Sequence, residues 1–137
     1  MPRGRPATPK VLSSLSGQPD MPDHLDTTAR KEWDRIVSLL DETGNLSQVD
    51  GSALAIYCCA FSRFVEAEKH LSKNGMVILA PNGCQMKSPY VDISKQAEAT
   101  MMKILTQFGL TPRARNTIRQ TDKKQDDAKA KWENLLS

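Results

Sequence analysis

Apolar residues recur along this chain with two different periods, and each change of period marks an element. Trp33, Ile36, Val37 and Leu40 fall at i, i+3, i+4 and i+7, which is one face of a helix. That predicts a first helix over 27–43, opened by Asp26 as N-cap and closed at Gly44. Ser47 and Asp50 then stand at capping-box spacing ahead of the longest helical pattern, predicting a second helix over 48–74. Its inward face uses Leu54, Tyr57, Cys58, Phe61, Phe64 or Val65, and Leu71. Residues 53–60 are apolar on nearly every side, a sign of burial against more than one neighbour, other copies of the chain included. Gly75 stops this period. Residues 76–80 form a short apolar run between Gly and Pro and read as a strand. Asn82-Gly83 supplies the left-handed residues of a tight turn, and 84–87 is the return strand of a hairpin over 76–87. Ile93, Ala97, Met101, Ile104, Leu105 and Phe108 restore the helical stripe, predicting a third helix over 90–108 that ends at Gly109. Thr111-Pro112 restarts the chain as a short helix displaying Arg113, Arg115 and Arg119. A last charged segment carries Ala128, Trp132, Leu135 and Leu136 at helical spacing. It reads as a solvated helix with one sticky edge, open either to a partner or to the body of the same protein. The fold class is therefore mainly α, a helical hairpin-like core with a small β-hairpin between the second and third long helices.

This pattern divides the chain into three stretches. Residues 1–25 hold five prolines and read as a basic, flexible arm. Residues 26–120 form the helical core and oligomerisation domain, and residues 121–137 form a charged C-terminal segment. With 137 residues and only 5% aromatics the monomer core is thin, and association would help it. Trp33, Leu54, Tyr57, Phe61 and Ile104 are the residues expected in the core or between subunits. No apolar run approaches the length that spans a bilayer, and the N-terminus lacks the apolar stretch of a secretory signal. Cys58, Cys59 and Cys84 make neither a C-x-x-C pair nor an even count, which fits a reducing compartment and no disulfide framework. His24 and His70 belong to no ligand motif, so neither a metal nor a cofactor is expected.

Charge adds an asymmetry. The net charge is +3, yet the middle of the chain is slightly acidic while residues 111–137 carry seven basic against four acidic side chains. Basic ends are compatible with nucleic acid, but charge alone favours the commoner reading of solvated tails. Catalytic constellations are missing from the sequence: no G-x-x-x-x-G-K-[ST] phosphate loop, no G-x-S-x-G elbow and no Cys/His dyad in context. The chain is not expected to be an enzyme.

A series of short motifs then resembles a known family. Gly4-Arg5-Pro6 opens it, followed by Pro22-x-His24-Leu25 and by Glu32-Trp33-Asp34-Arg35-Ile36 within the first helix. Leu46, Asp50 and Tyr57-Cys58 come next, then Pro81-Asn82-Gly83 with Ser88-Pro89, and last Phe108-Gly109-Leu110-Thr111-Pro112-x-Ala114-Arg115. In order and spacing these residues, spread over 3–120, resemble the phage terminase small subunit, in the branch found beside HNH endonucleases. The resemblance implies a non-catalytic factor of viral genome packaging in the host cytoplasm. It implies a ring-shaped homo-oligomer that binds double-stranded viral DNA near the packaging start site. That ring hands the DNA to the large terminase, which carries the ATPase and nuclease, and modulates it. The branch resemblance further implies an HNH endonuclease among the candidate partners, and no membrane is expected.

Arg3, Arg5 and Lys10 on the arm, with Arg113, Arg115 and Arg119, are the candidate DNA-binding residues. The last three could grip phosphates or pair with acids of a neighbouring subunit. A different class, a small helical DNA-binding transcriptional regulator, competes through the short link between the first two helices. A scaffold that binds only protein is the third reading.

Overall fold

A computed structural model describes residues 17–44 and 46–136; Arg3, Arg5 and Lys10 lie outside the described residues. Helix α1 spans Thr27–Glu42 and begins where the Asp26 side chain accepts from the Ala29 N–H at 2.8 Å. The other Asp26 oxygen accepts from the Ser62 hydroxyl at 2.5 Å, so the cap of α1 is also a tie to α2. These bonds favour the charged carboxylate, with the Ser62 bond the larger cause, and hold the Asp26 pKa below its ordinary value.

Helix α2 spans Gly51–Asn74 and is entered through a 3-10 turn, Gln48–Asp50. The expected helix over 48–74 is thus α-helical only from Gly51. The Asp50 carboxylate accepts from the Ser47 N–H at 3.0 Å, tightening the entry turn. Pro19 lies against Gly51 and is buried, and Leu25 is buried at the foot of α1.

The two helices run antiparallel, Ser62 opposite Asp26 and Tyr57 opposite Glu32. Between them lies the core: Trp33, Ile36, Val37 and Leu40 from α1, and Leu54, Tyr57 and Cys58 from α2. The expected inward face continues less well. Phe61, Phe64, Val65 and Leu71 are not buried as expected, while Ala60, Ser62 and Ala67 are; Phe61 is half-buried. For Phe64, Val65 and Leu71 the reason is the length of α1. It begins opposite Ser62, so α2 beyond that point has no α1 beside it and turns a different face inward.

The interface also holds a charge. Glu32 is 5% exposed, and its carboxylate accepts from the Tyr57 hydroxyl at 2.8 Å and from both Arg35 nitrogens, Nη2 at 2.5 Å and Nε at 2.9 Å. Burial, helped by the Glu32 carboxylate, pushes the Tyr57 phenol up to about 12. Burial likewise pushes the Cys58 thiol up to about 12. Hydrogen bonding to Glu32 raises Arg35 further above its ordinary value.

After Gly75, strands β1 (Val77–Leu79) and β2 (Gln85–Lys87) pair antiparallel with Ile78 opposite Met86. Only Gly83 of the turn takes a positive φ, 83°, so Asn82 is not the left-handed residue expected of it. Pro81 and Asn82 instead occupy the middle of a turn closed by the Gly83 N–H on Ala80 O, and the Asn82 side chain accepts from the Cys84 N–H. Helix α3 spans Pro89–Gln107. Its first turns lie beside α2, where Tyr90 stacks on His70 at 4.1 Å and the Ser94 hydroxyl donates to Glu68. The chain divides into two compact units after Glu98, within α3.

In the second unit, Ile104 is buried and α3 closes on Gly109. The Leu110 N–H reaches Leu105 O and the Gly109 N–H reaches Thr106 O, with Gly109 at φ 69°. Helix α4 then runs unbroken over Pro112–Leu136. The two helical pieces expected here are one helix, because nothing between residues 119 and 122 breaks it.

Tyr57→Phe leaves the buried carboxylate short of one donor and should lower stability by about 1–2 kcal/mol in a denaturant titration at neutral pH. In the unfolded chain the phenol and thiol ionise near 10.0 and 9.0, while the folded chain holds both protonated to about 12. Over that window the unfolded state binds fewer protons, so the melting temperature should fall as pH rises from 9, and less steeply in Tyr57→Phe. Separately, Gly109→Ala sets a Cβ 2.6 Å from Ile118 Cδ1 at a left-handed position, and should cost about 1–2 kcal/mol in the same titration.

Candidate nucleic-acid interface

The start of α4 is built by local chemistry. Thr111 caps it, accepting from the Ala114 N–H through its hydroxyl at 3.3 Å and from the Arg115 N–H through its carbonyl at 3.0 Å. Pro112 occupies the first helical position, where a missing N–H costs nothing. Arg113, Arg115 and Arg119 then project from the first turns, all exposed. Arg115 also donates to Leu110 O at 3.5 Å.

Because α4 does not break, Arg115 and Arg119 continue into Lys123 at intervals of four residues, a row along one side of the helix. No acidic residue occurs between Pro112 and Thr121. The row ends at Asp126 and Asp127, one turn beyond Lys123. Arginines in the first turns oppose the helix dipole, which favours negative side chains there. Helix stability therefore does not account for them. An exposed row of fixed cations can accept the phosphates of a nucleic-acid backbone.

The other sequence-derived residues separate from this row. Trp33, Leu54 and Tyr57 are core residues of the α1–α2 pair, Ile104 is buried, and Phe61 is half-buried. Lys123 is not among the sequence-derived candidates, because its neighbours alternate in charge. Only the continuity of the helix brings it into line with Arg119. An open groove of about 600 Å³ lies where Pro19 and His24 face Ile56, Cys59 and Arg63 of α2. Asp20 on its rim offsets Arg63, so it carries no fixed preference for an anion. Among the described residues, no three His, Cys, Asp or Glu side chains gather in a way that could hold a metal ion. No described helix is long and apolar enough to cross a membrane.

A family model described as phage terminase, small subunit, matches residues 29–125. The chain belongs to this family. The match takes in nearly all of α1, then α2, the hairpin, α3 and the first half of α4 with its basic row. No curated protein and no solved structure matches the chain. As a terminase small subunit it has a place in phage genome packaging.

Proposed function

We propose that this terminase small subunit is a non-catalytic, DNA-binding assembly factor. It forms a ring-shaped homo-oligomer, holds double-stranded viral DNA near the packaging start site, delivers it to the large ATPase and nuclease subunit, and modulates that subunit. The observation that carries the DNA contact is the exposed row Arg115, Arg119 and Lys123 with Arg113 beside it, inside the matched region. Arg3, Arg5 and Lys10 join it on charge. Self-association is supported by apolar side chains left uncovered in one copy. Leu39 on α1, Ile56 on α2, and Met76, Val77 and Leu79 at the hairpin are 41–71% exposed. A neighbouring subunit would cover them, and a closed ring needs one such heterologous interface. An HNH endonuclease as a further partner rests on the branch resemblance alone.

The transcriptional-regulator reading loses support on α2. A recognition helix presents its N-terminal residues to base edges. Here Leu54, Ala55, Tyr57 and Cys58 are buried, and the first basic residue of α2 is Arg63.

The test is the affinity of the protein for duplex DNA measured across a salt series. The triple variant Arg115→Ala, Arg119→Ala, Lys123→Ala should bind more weakly and flatten the slope of log K against log [salt] by roughly 0.9 for each phosphate no longer neutralised. An unchanged slope would assign the DNA contact to other residues.

A further inference from the structure

Beyond its basic start, α4 carries a second pattern. Ile118, Gln125 and Trp132 alternate with Thr121, Ala128 and Leu135 at spacings of three and four, the repeat that keeps one seam of a helix facing a partner helix. No described residue of α4 is buried. Ile118 leans over Gly109, and past it the seam is uncovered: Trp132 is 65% and Leu135 77% exposed. Trp132 and Leu135, at two successive seam positions and held open near the end of a 25-residue helix, are a docking surface in search of its occupant.

Charge along the seam selects that occupant. The positions flanking it hold Arg115, Lys124, Lys129 and Lys131 against Asp122 alone. A second copy of α4 does not neutralise them. Laid parallel and in register, Lys124 of one copy meets Lys129 of the other; laid antiparallel, the Lys124 and Lys131 edge meets itself. Like charges at these positions choose against a pairing, and opposite charges choose for it. Duplex DNA answers the lysines and leaves Trp132 and Leu135 without a use. We infer that the seam of α4 docks an amphipathic helix of a partner protein whose flanking positions are acidic. This surface shares Arg115 with the Arg115–Arg119–Lys123 row but differs from it in its apolar residues and in Lys124, Lys129 and Lys131, and it does not rest on the DNA contact.

The test uses the full chain and two synthetic helical peptides with the same leucine seam, one flanked by glutamate and one by lysine, each labelled for fluorescence anisotropy. The glutamate peptide should bind and the lysine peptide should not. Trp132→Ala should weaken binding by about tenfold, which is about 1.4 kcal/mol, as for truncation of an aromatic anchor at an interface. Trp132 is exposed, so this variant keeps its fold, checked by an unchanged circular-dichroism melt. Lys124→Glu with Lys131→Glu should reverse the preference toward the lysine peptide. Equal binding of both peptides, or of neither, would overturn the inference. So would loss of self-association in Trp132→Ala with Leu135→Ala, which would make the occupant a second copy. A loss of DNA affinity in the same seam variants would make it nucleic acid.

Discussion

One carboxylate sits at the centre of the α1–α2 pair. Glu32 is buried between the helices, and a buried charge is costly unless its oxygens are bonded. Tyr57 meets it from across the interface and Arg35 from one turn along its own helix. The contributions differ. The Arg35 side chain is 55% exposed, so solvent screens its half of the ion pair, whereas the Tyr57 bond lies in the interior. An apolar pair of this kind could slide by a turn. A carboxylate that finds its hydroxyl in only one register prevents that, and the Asp26–Ser62 bond at the start of α1 fixes the same register a second time.

This arrangement explains residues that first stood out only as motif positions. Glu32, Arg35 and Tyr57 belong to the segments that resemble the terminase small subunit, and in the structure they are joined to one another. Their role in this chain is to hold α1 on α2. The residues with a claim to DNA contact belong to another element, α4, where no described residue is buried. A rigid pair and an exposed cationic helix are different jobs carried by different elements.

Elements written in local chemistry are legible in the sequence. Asp26, Gly75, Gly109 and Thr111-Pro112 each act within a turn of themselves, and all end or start helices as expected. Interactions spanning many residues are not. A glutamate on a helix reads as a surface residue, and its burial depends on a tyrosine 25 positions away. Ser62 gives no sign of being interior, because its partner is the cap of another helix. Periodicity carries the inward face of α2 too far, to Leu71, because it reports a face without reporting how far the partner helix reaches. Charge alternation around Lys123 suggests a separate segment, and the unbroken α4 returns it to the row begun by Arg115.

On the proposed function, DNA meets α4, and α1 and α2 take no part in the contact. Hydrogen–deuterium exchange of the full protein, with and without a short duplex, tests it most directly. Exchange should slow in peptides covering residues 112–123 and stay unchanged in α1 and the first half of α2. Protection of residues 51–63 on DNA addition, with α4 unaffected, would contradict it.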